Sequence, residues 1–259
     1  MKKPERIGPY TLLRRLSPRQ NGCVWLAAAG TGEHKLALKI ARADDEAGRR
    51  RIMHEVDIAA AFDHPNIVRI HECGASRGIT WITMAYLAGP HRALTLANFR
   101  QLLLALVHVH ANEVIHAGIG PAGLLLDEAG DLRLADFAHA RRAGQAGSFA
   151  TGMLQFMSPE QLRGEPLDAR ADIFSAGVVL YEVLTGSRPF QATSLDKMEQ
   201  IAQQSQTAPS TVAPGLGNSF DEVIERALAR QRAGRYASAF EFLAAFDEAC
   251  RRGVKPAAA

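Results

Sequence analysis

The stretch His116-Ala117-Gly118-Ile119-Gly120-Pro121-Ala122-Gly123-Leu124-Leu125-Leu126 decides how this chain is read. A histidine and a proline stand in it as fixed points, and three leucines close it as a short apolar strand. Between these points lie glycines at 118, 120 and 123. Glycine supplies no proton acceptor, metal ligand or cation. The stretch therefore keeps a frame while its central positions carry no side-chain chemistry.

The surrounding chain bounds what that frame belongs to. Its 259 residues are enough to bury two cores, and 47% apolar with 22% charged residues is an ordinary globular balance. A formal charge of +3 is too small to argue for nucleic acid or an anionic membrane as partner. No apolar run reaches the roughly 18 residues of a membrane span. The candidate at 102–109 is too short and is interrupted by His108. Met1-Lys2-Lys3-Pro4-Glu5-Arg6 is followed by no apolar signal-peptide core. Cys23, Cys73 and Cys250 are odd in number and widely spaced, which fits free thiols in a reducing compartment. The expected location is cytoplasmic.

Alternating runs predict strands at 10–16, 23–28, 35–40, 67–73 and 79–86. Helical spacing of Ile52, Val56, Ile58, Ala59 and Phe62 predicts one helix at 47–62, ended by Asp63-His64-Pro65-Asn66. After the linker Leu87-Ala88-Gly89-Pro90 the pattern is mainly helical, at 96–110, 171–185, 195–205, 218–231 and 238–252. Five strands with one helix, then a helical lobe, make an α+β arrangement. The expected divisions are a lead-in at 1–9, one domain at 10–252 with lobes at 10–86 and 90–252, and a tail at 253–259.

Several ordered motifs sit on these elements. Leu36-Ala37-Leu38-Lys39 lies on a strand and Glu55 on the first helix. Asp136-Phe137-Ala138 comes after the Leu124–Leu126 run, and Ser158-Pro159-Glu160 comes later. Asp172-Ile173-Phe174-Ser175-Ala176-Gly177 opens an apolar helix, and Arg235 precedes the last one. From about residue 10 to 252 the chain resembles bacterial serine/threonine protein kinases, whose catalytic loop reads H-R-D-x-K-P-x-N. The resemblance implies the bilobal kinase-like fold, with a five-stranded antiparallel sheet and one helix in the smaller lobe. It implies that Lys39 pairs with nucleotide phosphates and is held by Glu55, and that Asp136 is the magnesium ligand. It further implies that Asp172 pins the loop backbone and that Arg235 pairs with Glu160. Val24 and Ala37 then form the roof over adenine and Leu125 its floor, with Met84 at the gatekeeper position and Ala85-Tyr86-Leu87 at the hinge.

Against that pattern the catalytic set is empty. Gly118 stands at the base position, Gly120 at the Lys position, and Gly123 at the Asn position that would hold a second metal contact. Met153 replaces the Thr that ties the loop to the substrate side, and Ala117 replaces the Arg that docks a phosphorylated segment. The glycine-rich phosphate loop is reduced to Ser17-Pro18-Arg19-Gln20-Asn21-Gly22, and the helix after the hinge to Pro90-His91-Arg92-Ala93. His108, His110 and His116 read as packing residues rather than a metal site. The function implied is a pseudokinase: a regulatory or scaffolding module with a protein partner and weak ATP or ADP binding with magnesium. The alternative is a weakly active kinase or kinase-fold transferase using ATP, with Asp127, Glu128 or His139 as replacement base. A third reading is a scaffold that binds no nucleotide.

Overall fold

The computed structural model describes residues 5–17, 23–30, 34–89, 93–145, 154–190 and 206–253. In the smaller lobe, strands β1 (Arg6–Ile7), β2 (Tyr10–Ser17), β3 (Cys23–Ala29), β4 (His34–Arg42), β5 (Ile70–Ser76) and β6 (Ile79–Ala85) form one antiparallel sheet. Its order is β1-β2-β3-β4-β6-β5. The sheet has six strands rather than the expected five. Arg6 pairs with Thr11 and Ile7 with Tyr10, so part of the supposed 1–9 lead-in belongs to the fold. A two-residue strand carries too little alternation to be read from sequence.

Alternation along β4 splits the sheet into two faces. Ala37, Lys39 and Ala41 point one way, and Val24, Ile82 and Met84 lie opposite them across the register. On that face Ala37, Ala41, Ile82 and Met84 form a buried cluster with Ile52 of the helix α1 (Glu46–Ala59). Leu38 points the other way, into a second cluster with Ile7, Tyr10, Leu12, Ala27 and Trp81. Helix α1 starts where Asp45 accepts the Gly48 amide at 2.7 Å, and it stops short of the predicted residue 62.

The strand expected from 67 begins only at Ile70. Residues 66–68 instead bond to the larger lobe: Leu134 N–H donates to Asn66 O and Val68 N–H to Leu134 O, both at 2.8 Å. These bonds lock the turn after α1 onto strand β8 (Leu132–Leu134), which pairs with β7 (Leu124–Leu126). Another lobe crossing lies at the linker. A Cβ on Gly89 would stand 2.1 Å from Leu126 O, so only glycine permits that approach.

In the larger lobe, α2 (Leu96–Ala111), opened by a Thr95/Asn98 capping box, packs against the C-terminal helix. The central helix α4 (Arg170–Thr185) follows the short α3 (Pro159–Leu162). Gly177 of α4 lets Ala227 and Leu228 approach to about 3 Å of a would-be Cβ. Helices α5 (Pro209–Val212), α6 (Asp221–Ala227) and α7 (Ala239–Gly253) complete the lobe. The predicted helix at 218–231 is thus only seven residues long, with a 3₁₀ turn at Arg232–Gly234 after it. Helix α7 ends at Gly253, one residue into the expected tail. No helix among the described residues is long and apolar enough to cross a membrane. The expected helix at 195–205, residues 18–22 of the phosphate loop, residues 90–92 and Met153 lie outside the described residues.

Candidate functional site

Lys39 reaches the cleft because β4 places it on the same face as Ala37, opposite Ile82. Its ammonium lies 2.5 Å from Glu55 Oε2 and 2.8 Å from Asp136 Oδ1. The Lys39 and Glu55 side chains are only 10% and 4% exposed, and that of Asp136 29%. Burial alone would lower the Lys39 pKa, but the two carboxylates outweigh it and hold the amine above its ordinary value. Burial would likewise raise Asp136, and Lys39 instead holds it below the ordinary carboxylate value. Burial raises the Glu55 carboxyl above its ordinary value, with the Lys39 charge opposing the rise. Glu55 is aligned because α1 is drawn inward. One further tether is His54, whose Nε2 lies 2.6 Å from Ala140 O.

Asp136 sits in the left-handed region, at φ 68°. The turn sends the next side chain, Phe137, inward, where its ring packs on His116 (centroids 4.7 Å) and Phe62 (5.2 Å). Its backbone thus aims the Asp136 carboxylate at the cleft while anchoring the segment in the core.

The loop at 116–123 is held with equal care. Asp172, fully buried, accepts the backbone N–H of His116 at 2.7 Å and of Ala117 at 2.8 Å, and His110 Nε2 lies 2.9 Å from it. Gln161 Nε2–H donates to Ala117 O at 3.0 Å. Ala117 has φ 52°, the only positive φ between residues 116 and 126. His116 is neutral, since its Nδ1 accepts the Gly118 N–H and its Nε2–H donates to Ala135 O. Burial pushes its pKa below the ordinary 6.5. Below the loop, Arg235 makes a buried two-pronged pair with Glu160, at 2.6 and 2.9 Å.

The glycines differ from one another. A Cβ at Gly118 would meet His116 Nδ1 and His139 Cβ at 3.4 Å, ordinary contact. A Cβ at Gly123 would stand 2.7 Å from Ala135 O, inside contact distance of a backbone carbonyl. Ala135 N–H also donates to Gly123 O at 2.8 Å, which ties the two segments together. Gly120 O accepts the Gly123 N–H at 2.9 Å.

The apolar residues assigned to the adenine side converge. Ala37 and Met84 belong to one buried cluster, with Val24, Leu125 and Leu87 packed against it. Tyr86 does not join them: its hydroxyl lies 3.4 Å from Arg14 Nη2. Of the proposed replacement bases, Asp127 is committed to Arg133 at 2.9 Å, while His139 stands beside Gly118. The three histidines diverge: His108 stacks near His64 at 5.1 Å, His110 serves Asp172, and His116 serves the loop. Sequence reasoning missed Gln161. Its signal was the Ser158-x-x-Gln161 capping box, which fixes the glutamine over the loop.

The model of the protein kinase domain family matches residues 10–245. The chain belongs to the protein kinase family. This kinase domain is 36% identical over 258 residues to serine/threonine-protein kinase PknJ of Mycobacterium tuberculosis, covering 90% of the chain and 44% of that protein. It is 34% identical to the probable serine/threonine-protein kinase PknB of Bifidobacterium longum, covering 86% and 37%. It is 31% identical to serine/threonine-protein kinase PrkC of Bacillus subtilis, covering 90% and 39%. The chain spans less than half the length of each of these relatives. The family as a whole uses ATP and magnesium.

Proposed function

We propose that this kinase domain is a pseudokinase: it binds nucleotide weakly and acts through a protein partner rather than by phosphorylating one. The observation that carries this reading is Gly118 at the base position, in a loop whose backbone Asp172 pins at His116 and Ala117. Phosphoryl transfer rests on positioning and electrostatic stabilisation, and the groups that supply them act as a unit. Here the base, the lysine clamp and the asparagine ligand are all glycine.

The residues present fit a nucleotide on its base and α/β-phosphate side. Val24, Ala37, Met84 and Leu125 would sandwich the adenine, Lys39 would meet the phosphates, and Asp136 would hold magnesium. A magnesium nucleotide, when bound, would supply phosphate charge for Lys39 to meet and a cation for Asp136 to hold. The fit ends at Gly123, where no side chain reaches the metal. Lys39, which contacts both Glu55 and Asp136, would meet the phosphates while Glu55 kept it oriented. Nucleotide then favours the lobe arrangement in which these residues meet, and a partner reads that arrangement.

A second reading, a weakly active kinase or kinase-fold transferase, is favoured by the intact Lys39–Glu55–Asp136 contacts and by His139 beside Gly118. The relatives' names point the same way. Thermal shift with and without Mg-ATP, paired with turnover of labelled ATP, separates the readings. The pseudokinase predicts a shift lost in Lys39→Ala and Asp136→Ala, with phosphorylation of protein substrates at background. Robust phosphorylation that disappears in Asp136→Ala would establish the second reading, and a chain with no shift at all is a plain scaffold.

A further inference from the structure

The turn Asp63-His64-Pro65-Asn66 carries an imidazole at the place where the small lobe is fastened to the large one. Its last residue makes much of the fastening. Asn66 O accepts the Leu134 N–H at 2.8 Å, and its side-chain amide donates to Leu132 O at 2.9 Å. Val68 N–H donates to Leu134 O at 2.8 Å, and Arg133 of the same strand donates to Pro65 O. Asn66 is buried, so these bonds depend on the shape of the turn. His64 sets that shape. Its Nδ1 accepts the Asn66 N–H two residues on, at 3.0 Å, as the side-chain oxygen of an Asx turn does. The neutral ring therefore carries its proton on Nε2. A second proton goes to Nδ1 and abolishes the acceptor.

The groups around this ring make that proton costly. The ring lies against that of His108 of α2, with centroids 5.1 Å and planes 32° apart. From β8, Arg133 reaches the neighbouring Pro65 carbonyl and is itself paired with Asp127 at 2.9 Å. The turn's own carboxylate, Asp63, is exposed. Burial, and after it the charges of His108 and Arg133, holds the His64 imidazole below its ordinary 6.5. Two protonated rings at this separation also repel each other. We propose that this cluster is an acid-sensitive latch between the lobes, closed while both rings are neutral and released when His64 takes a proton on Nδ1. An opened turn returns the imidazole to its ordinary value, so the open form binds more protons than the closed one. The latch is therefore strongest above about pH 6.5 and weakens as the pH falls, by at most about tenfold per pH unit for one proton. Release reaches the cleft through Phe62. That buried ring packs edge-on to His108 (centroids 5.8 Å) and against Phe137 (5.2 Å), the residue after Asp136.

The test is amide hydrogen exchange of the full chain, read by NMR at pH 7.5, 6.5 and 5.5 with no nucleotide present. Each rate is compared with that of an unstructured amide at the same pH. The Val68 and Leu134 amides report the latch, and Leu180, buried in the middle of α4, reports global opening. Between pH 7.5 and 5.5, protection at Val68 and Leu134 is expected to fall roughly tenfold more than at Leu180. Nitrogen shifts of the His64 ring, followed in the same samples, show Nδ1 gaining its proton over the same range. His64→Asn keeps an acceptor two residues before the Asn66 N–H and has no proton to gain. In that variant Val68 and Leu134 follow Leu180 at every pH. His108→Gln takes away one cation and shrinks the loss. The proposal is overturned if Val68 and Leu134 follow Leu180 in the parent, or if His64→Asn keeps the parent's acid loss. Should His64→Asn not fold, the parent alone decides: a loss of protection while Nδ1 stays unprotonated overturns the latch. An undiminished loss in His108→Gln would overturn the pairing of the two rings.

Discussion

Two regions meet at the cleft and have fared differently. The upper one, Lys39 with Glu55 and Asp136, keeps every charge and holds them at 2.5 and 2.8 Å. The lower one, the loop from His116 to Gly123, keeps every anchor and holds no reactive side chain. The contrast separates two jobs that a catalytic loop normally combines. Asp172, Gln161 and His116 shape the backbone, and they do so without reference to what residues 118, 120 and 123 present. A loop can therefore lose its chemistry while its conformation survives.

The largest effect should come from the scaffold beneath the loop. Arg235→Ala leaves Glu160 ionised in a site where both side chains are at most 1% exposed. Breaking a buried pair in this way costs about 3–5 kcal/mol. Urea denaturation measures it, and a loss under about 1 kcal/mol would show that the scaffold does not carry the lobe.

A smaller effect divides the glycines. Gly123→Ala should destabilise by about 1–3 kcal/mol, because its Cβ meets the Ala135 carbonyl and a backbone must move. This bears on repair of the loop. Restoring Asp, Lys, Asn and Thr together at 118, 120, 123 and 153 would be expected to exceed the single changes, but the asparagine at 123 meets that carbonyl first. Thermal melts of Gly123→Ala and Gly123→Asn decide the matter, and parent-like melting of both would break the distinction.

The pH dependence probes the loop anchor. His116 is neutral in the fold with its pKa below 6.5, so the unfolded chain binds the proton more readily. Stability from this residue is present above about pH 6.5 and is lost as the pH falls below it, by at most about 1.4 kcal/mol per pH unit. Denaturation midpoints at pH 7.5 and 5.5 should differ more in the parent than in His116→Gln. Equal differences would show that His116 is not the group responsible.

The smallest effect is expected at Gly118. Gly118→Ala should change stability by less than about 1 kcal/mol, given contacts at 3.4 Å. Gly118→Asp should leave nucleotide binding intact and phosphorylation near background, because the lysine, the metal ligand and the threonine are still missing. Strong kinase activity from that one change would erase the contrast between the two regions.

Much of this was legible in the chain. Lys39, Glu55, Asp136, Asp172 and the Glu160–Arg235 pair match motifs of the protein kinase family, so their contacts followed from that resemblance. What escaped was either short or collective. Arg6–Ile7 forms a strand only because Tyr10 and Thr11 stand opposite it. Ile67 and Val68 read as strand, yet Leu134 claims this segment across the lobes. Tyr86 falls at the hinge in sequence, yet its side chain turns toward Arg14. The difference between Gly118 and Gly123 depends on where the Ala135 carbonyl lies, which no local pattern encodes.

The only left-handed residue of the loop is Ala117, and the glycines at 118 and 123 have ordinary dihedral angles. Neither is there for the freedom that glycine gives a backbone. At 123 the missing Cβ satisfies a spatial demand, whereas at 118 neither space nor dihedral requires its absence. The two positions are therefore under different physical constraints. Across related sequences, substitutions at 123 would register packing, and those at 118 would register only whether the chemistry is wanted.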